Sequence, residues 1–374
     1  MTRRAIRAFL DNSGLLVVGS LLALVWANTA VTSYTHFTHA LHFPVNDIGM
    51  ALFFALAAKE VVEAVGPGGP LHSPRRAAVA LIAAVGGMAG PAILYVVLVF
   101  ALNTPTLLRG WAIPCATDIA FSYLVARFIF GPRHPAIPFL LLLAIADDAL
   151  GLLILAVFYP TGMMRPLEFV LILSVALAIS WWLRSRRTVS FWPYVAVAGS
   201  IAWMAFYRGG LHPALALVPI MPFLPHTPPD TGLFAKANPP HDTLTQFEHW
   251  WRMPVQGILF FFGLVNAGVE LTRAGIGTWI VLTAILVGKP IGIVSAAALC
   301  VSAGLHRPRG VSWRDLIVVG VIAGIGFTVA LFFATAAFPP GPLLEQTKMG
   351  ALLSISGGAI AIGVGRLLRV RQRH

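Results

Sequence analysis

The sequence has little charge, few cysteines and no long polar stretch. Only 11% of its 374 residues are charged and only two are cysteines, whereas 58% are hydrophobic. An ordinary soluble domain has about 25% charged residues, so the composition excludes that class of protein. Cys115 and Cys300 both lie within apolar runs and indicate neither a disulfide framework nor a cysteine-based metal site. The longest connection, about residues 225–253, is rich in proline, threonine and histidine.

The sequence is instead dominated by apolar runs, each long enough to cross about 30 Å of hydrocarbon. Its mean hydropathy is +0.83. We therefore predict an all-α polytopic membrane protein whose residues 1–374 form a single integral membrane domain. The twelve predicted transmembrane helices lie near residues 14–30, 48–65, 77–102, 112–130, 137–159, 167–183, 191–207, 211–224, 254–271, 278–301, 314–338 and 349–368.

The basic residues alternate with the loops instead of clustering on a soluble module, which argues against a nucleic-acid partner despite the net charge of +12. If the N-terminus is cytoplasmic, 20 of the 26 basic residues fall inside, five fall outside and one, Lys289, lies within a span. This distribution obeys the positive-inside rule. We therefore predict that both termini are cytoplasmic and that the first span is a retained anchor.

Four charged residues lie deep inside predicted spans, namely Asp118, Asp147, Asp148 and Lys289. Each charge at the centre of a bilayer costs about 2.5 to 3.5 kcal/mol. A sequence retains such groups where they face one another, water or a bound ion. They are therefore the first candidates for a functional site.

Two spans carry residues that interrupt a helix in mid-membrane. Span four contains Pro114 shortly before Asp118, and span eleven contains Gly324 and Gly326. Proline removes a backbone donor and glycine loosens a helix. An interrupted segment in each half predicts a transport site at the midplane. There Asp118 can compensate the partial positive charge of helix N-termini, and Lys289 the partial negative charge of helix C-termini. Whether Asp118 also contacts the ion is left open by the sequence.

Asp147 and Asp148 are consecutive, so on a helix they point about 100° apart. Two roles follow: one carboxylate faces an aqueous funnel and binds a cation, while the other pairs with Lys289. Desolvation and a like-charged neighbour disfavour ionisation and a lysine opposes them, so the pair can titrate near physiological pH. Sodium prefers oxygen ligands as other hard cations do, and its competition with a proton for one site is enough for exchange transport. Lys289 is either a fixed countercharge or a proton carrier.

Three other functions remain open at this point. An intramembrane aspartyl hydrolase needs two aspartates that share one proton, and Asp118 with Asp148 would qualify by count. The sequence contains no Gly-x-Gly-Asp run, and Lys289 favours ionised carboxylates. A second alternative is a sensor that binds ions without transporting them, and a sodium-dependent solute symporter on a similar scaffold is a closer one.

The chain resembles the NhaA-type sodium/proton antiporters in five stretches that follow the family's order, at residues 116–121, 144–148, 266–269, 288–292 and 323–328. The resemblance implies an electrogenic exchanger of the bacterial inner membrane that serves pH homeostasis and salt tolerance. Spans three to five and ten to twelve would be inverted repeats whose discontinuous helices cross. Sodium or lithium would be the substrate, no cofactor would be needed, and a homodimer is common in the family.

The resemblance also assigns roles to residues. Asp148 would be the principal sodium ligand and proton acceptor, and Asp147 would alternate between Lys289 and the ion. Asp118 and Thr117 would support binding and balance the helix ends.

Four further residues are linked by the resemblance to pH response, namely Glu60, His212, Glu248 and His249. The chain departs from the family pattern in two places, since it lacks the basic cluster after Glu60 and the second histidine before Pro254. The set point of the response is therefore expected to differ. For His212, the residue alone favours a histidine that satisfies backbone groups at a helix start.

Overall fold

The computed structural model describes residues 14–226, 242–308 and 310–370, except for the side chains of residues 74–76. Within these ranges every regular element is a helix, which confirms the predicted all-α class. The two termini, which the sequence predicts to be cytoplasmic, lie outside the described residues.

Fifteen α-helices follow one another in the described ranges. They are α1 (Gly14–Thr29), α2 (Val31–Phe43), α3 (Met50–Val65), α4 (Pro74–Ala101), α5 (Ile119–Phe130), α6 (Ala136–Phe158), α7 (Pro166–Ser185), α8 (Gly199–Gly209), α9 (Thr243–Asn266), α10 (Ile276–Thr283), α11 (Lys289–Ser302), α12 (Trp313–Ala323), α13 (Phe327–Ala337), α14 (Pro342–Leu353) and α15 (Ser356–Leu367). Three π-helical turns lead directly into α3, α8 and α11, at Pro44–Gly49, Tyr194–Ala198 and Ala284–Gly288.

Several of these helices are long and apolar enough to cross a membrane. In the described part of the chain, five continuous helical stretches meet that condition, at Ala77–Ala101, Ala136–Phe158, Pro166–Ser185, Ile276–Ser302 and Pro342–Leu367. Two further spans are bent pairs, each with its break where the sequence predicts one. The count of twelve transmembrane helices stays a prediction.

The structure differs most from the expected helices near residues 211–224. There the chain forms two short 3-10 turns, Pro213–Leu215 and Met221–Phe223, joined by irregular turns. Pro213, Pro219 and Pro222 each remove a backbone donor, so a continuous α-helix cannot form. That this segment crosses the membrane remains a prediction from the sequence.

Helix α2 lies between the first two predicted spans and is tied to the end of α9. The Tyr34 hydroxyl lies 3.0 Å from the Leu264 carbonyl oxygen and accepts a hydrogen bond from the Gly268 N–H at 3.0 Å. Burial raises the pKa of Tyr34 to about 12, with the bond from Gly268 partly opposing the shift. The hydroxyl therefore stays protonated and remains a donor at physiological pH.

Helices α4 and α11 cross closely at two reciprocal pairs of glycines, Gly86 with Gly292 and Gly90 with Gly288. A Cβ atom on Gly292 would lie 2.0 Å from the Gly86 carbonyl oxygen, and one on Gly90 would lie 2.4 Å from the Gly288 carbonyl oxygen. Only glycine permits this approach, as in other close contacts between membrane helices. Lys289 lies between Gly288 and Gly292, so the close crossing fixes the position of the Lys289 backbone.

Candidate functional site

The two broken spans meet at their breaks. The chain bends by 56° where the 3-10 turn Ile113–Cys115 gives way to α5, and by 48° between α12 and α13. The Asp118 N–H donates to the Ile325 carbonyl at 2.6 Å, and the Ser122 hydroxyl donates to the Ile322 carbonyl at 3.1 Å. Backbone groups released by each break are therefore satisfied by the other broken span, as a water-free environment requires.

Asp118 serves the N-termini of both half-helices that follow the breaks. Its Oδ1 accepts from the Phe121 N–H at 3.3 Å, at the start of α5. Its Oδ2 accepts from the Thr328 N–H at 3.4 Å and from the Thr328 hydroxyl, at the start of α13. A buried carboxylate that meets two partially positive helix ends is stabilised by both, and all the donors approach its two oxygens.

Lys289 serves the opposite kind of helix end. Its side chain is fully buried, and its Nζ donates to the Cys115 carbonyl at the end of the first half-span. The same Nζ donates to Asp147 Oδ2 at 2.8 Å. The ammonium thus neutralises a partially negative helix end and one carboxylate at once.

Asp147 is held from one side only. Its Oδ2 also accepts from the Thr117 hydroxyl at 2.6 Å, and that hydroxyl lies 3.0 Å from the Ala323 carbonyl oxygen. The other oxygen of Asp147, Oδ1, is buried and has no partner among the described residues. Asp147 and Asp148 both line a void of about 20 Å³, which is about enough for one water molecule.

Asp148 has a different environment from its neighbour. It makes no hydrogen bond or ion pair with any residue in the described ranges, and it lines a cavity of about 660 Å³. The cavity also reaches Thr117, Asp118 and Thr328, and extends to the partly exposed Glu60. The adjacent aspartates therefore divide as helical periodicity predicts, one paired with Lys289 and the other facing the cavity.

Three glutamates surround Lys59 at the partly exposed end of this cavity, which we call its mouth. The Lys59 side chain is only 5% exposed, and its Nζ lies 2.6 Å from Glu248, 2.7 Å from Glu63 and 3.4 Å from Glu60. These contacts join α3 to α9. Glu60 and Glu248 line the cavity, whereas His249 is exposed and lies outside the lining.

His212 lies apart from the aspartates. Its Nδ1 accepts from the Ala214 N–H at 3.4 Å and lies 3.9 Å from Asp47 Oδ1. Its ring packs against Phe332 at a centroid distance of 4.8 Å. This is the geometry of a histidine that caps a short helix, the role the residue alone favours.

Sequence reasoning missed several residues of the site. The Cys115 carbonyl and Thr328 complete the capping of the breaks, and Lys59 organises three carboxylates. Gln256 lines the cavity as well. Lys59 gives a signal in the sequence, because a lysine next to one glutamate and four residues before another can pair within a helix. Among the described residues, no three His, Cys, Asp or Glu side chains converge on a metal position.

Known proteins resemble the chain over nearly its whole length. Residues 4–367 match the family described as "Na+/H+ antiporter 1". The proteins named Na(+)/H(+) antiporter NhaA from Geobacter metallireducens and Jannaschia sp. are 45% and 44% identical to the chain. The alignments cover 99% of both proteins in the first case, and 96% of this chain and 97% of the relative in the second.

The fold is similar to that of the sodium proton antiporter MjNhaP1 from Methanocaldococcus jannaschii at pH 8. The TM-score is 0.56 with 14% sequence identity, over 97% of this chain and 99% of the other. At that identity the likeness concerns the fold alone. The match over nearly the whole sequence shows that the chain belongs to the Na+/H+ antiporter 1 family.

Proposed function

We propose that the chain exchanges sodium or lithium for protons, and that cation and proton compete for Asp148 and Asp147. One observation carries the proposal: among the described residues Asp148 has no partner and lines the 660 Å³ cavity, and Oδ1 of the adjacent Asp147 has no partner either. Carboxylate oxygens are the ligands that hard cations prefer. Because the cation and the proton use the same oxygens, the buried site never carries both.

The other charged residues then have supporting roles. Asp118 accepts hydrogen bonds from Phe121 and Thr328 on both of its oxygens, so its role is to balance the helix ends. Lys289 holds Oδ2 of Asp147 and leaves Oδ1 for the cation. The loss of a proton from Asp148 therefore creates a site with oxygens from both adjacent carboxylates and Lys289 as the countercharge.

The cavity supports access from one side at a time. The wall of the small void beside the aspartates contains Phe54, Leu152, Leu155 and Phe333. The Phe54 ring packs against the Phe332 ring at a centroid distance of 4.9 Å. This apolar wall closes the side of the site away from the 660 Å³ cavity. Exchange requires the opposite state as well, in which the wall opens and the mouth near Glu60 closes.

The setting follows from family membership and the distribution of basic residues. The protein would be a secondary transporter of the bacterial inner membrane with both termini cytoplasmic, and the cavity mouth would face the cytoplasm. Exchange would be electrogenic and driven by the proton gradient, without a cofactor. A homodimer is the expected assembly.

Everted membrane vesicles from a host without its own sodium/proton exchangers test the proposal. Added sodium or lithium should collapse a preformed pH gradient, as read from a pH-sensitive dye. Asp148→Asn should abolish the response, because an amide neither takes up the proton nor balances the charge of the cation. Glu168→Gln, at the half-buried partner of Arg165 outside both cavity linings, should leave it intact. Normal exchange by Asp148→Asn would contradict the assigned role.

The same assay separates the rival functions. A symporter needs an organic solute for sodium movement, so a response to sodium alone excludes it. The geometry favours the hydrolase less, because a shared proton needs a hydrogen bond between Asp118 and Asp148, and none forms between them in the described part of the chain. Asp118 instead accepts from Phe121 and Thr328.

A further inference from the structure

Helix α9 presents three polar side chains at a spacing of four residues, Glu248, Arg252 and Gln256, and all three line the 660 Å³ cavity. Residues four apart share a helix face, so they form one polar track. The rise of about 1.5 Å per residue places Gln256 about 12 Å further along the helix than Glu248. The track therefore leads from the mouth into the cavity whose wall includes Asp148.

Gln256 is the member of this track that no described contact explains. Its side-chain carbonyl oxygen is buried and has no hydrogen-bond partner among the described residues. A buried acceptor that is left unpaired is costly, so such groups usually have a reason. The neighbouring wall positions are apolar, with Val255, Leu259 and Phe53, and a leucine in place of Gln256 would avoid the cost.

We propose that Gln256 is a cation-binding residue on the path to Asp148, and that its side chain turns the buried carbonyl oxygen toward the ion, where the oxygen replaces part of the ion's hydration shell. The inference rests on the proposed sodium/proton exchange. Amide carbonyls are among the oxygen ligands of hard cations in proteins. A neutral oxygen binds more weakly than a carboxylate, which suits a transit position, because conduction requires that an ion can both enter and leave.

An amide does not titrate in the physiological range, and this separates its contribution from that of Asp148. Loss of the Gln256 oxygen should weaken sodium binding by the same factor at every pH. Loss of a net contribution of about 0.5 to 1.5 kcal/mol corresponds to a rise in KM of about two- to tenfold. The maximal rate should stay unchanged, because the proton-binding carboxylates are intact. For the same reason, the pH of half-maximal exchange should stay unchanged when sodium is held at the same multiple of each protein's KM.

The test uses the full-length protein in proteoliposomes, with sodium-driven proton movement measured over a range of sodium concentrations and pH values. Gln256→Leu should raise the KM for sodium and for lithium, and Gln256→Glu, which retains an oxygen ligand, should restore it. Gln246→Leu makes the same chemical change on α9 outside the cavity lining and should behave like the parent protein.

Thermal unfolding provides a second measurement. Because Gln256→Leu removes an unpaired acceptor from an apolar wall, its unfolding temperature without sodium should equal or exceed that of the parent. An unchanged KM in Gln256→Leu would overturn the proposal, and a lower unfolding temperature beside it would make Gln256 a structural residue. A change in the pH of half-maximal exchange at the same multiple of KM would overturn it too, since it would place the effect at Asp148. An inactive parent protein would instead refute the proposed function.

Discussion

Replacement of Thr117 by valine tests how the protein holds Asp147 as a carboxylate. The Thr117 hydroxyl lies 2.6 Å from Asp147 Oδ2 and 3.0 Å from the Ala323 carbonyl oxygen, and it has one hydrogen to donate. The shorter contact assigns that hydrogen to Asp147. Valine has nearly the same shape as threonine, so the variant removes one hydrogen bond to the carboxylate and leaves Lys289 as its remaining donor.

The size of the effect follows from the charge of the acceptor. Hydrogen bonds to charged groups contribute about 1.5 to 3 kcal/mol. The free energy of unfolding should therefore fall by about 1.5 to 3 kcal/mol in Thr117→Val.

The assay is the thermal unfolding of the purified protein in detergent. Thr117→Ser retains the hydroxyl and should keep the unfolding temperature of the parent protein. Thr335→Val is the matched control, because the Thr335 hydroxyl donates to the Phe332 carbonyl of its own helix. An unchanged unfolding temperature in Thr117→Val would refute the reasoning, since the hydroxyl would then contribute nothing to holding Asp147.

Two further changes test the framework around the site. Lys59→Met should lower stability by about 1 to 3 kcal/mol, less than for a fully buried pair because the glutamates are partly exposed; Lys59→Arg should preserve the thermal unfolding temperature, and an unchanged temperature in Lys59→Met would contradict the assignment. Gly292→Ala should reduce both stability and exchange, because its Cβ would lie 2.0 Å from the Gly86 carbonyl oxygen, whereas Gly257→Ala, with nothing within 4 Å, should be tolerated in both measurements.

The sequence predicted those features that follow from a local cost. A charge inside a span must be compensated, and proline or glycine in mid-span interrupts a helix. These rules located the breaks near Pro114 and Gly324. Helical periodicity also separated the surroundings of Asp147 and Asp148, because consecutive residues cannot face the same neighbour.

Features that depend on which helices pack together could not be predicted in the same way. The bond from Thr328 to Asp118 joins residues 210 positions apart, and periodicity gives the face of a helix without naming its partner. Lys59 shows the same limit, since its pairing with Glu248 depends on the contact between α3 and α9. The helix expected at 211–224 is replaced by 3-10 turns for a local reason. Hydropathy does not register the loss of three backbone donors at prolines.

The three intramembrane aspartates differ in how many of their oxygens the protein itself satisfies, and this difference orders their functions. Asp118 uses both oxygens to cap helix ends, Asp147 uses one and leaves Oδ1 unpaired, and Asp148 uses none among the described residues. An oxygen that already accepts strong hydrogen bonds gains little from a cation, whereas an unpaired one in a low dielectric gains most. Cation affinity should therefore fall in the order Asp148, Asp147, Asp118. In the proposed exchange, Asp118 thus serves the structure, Asp147 pairs with Lys289 and keeps one oxygen for the ion, and Asp148 binds the ion, although all three have the same chemistry.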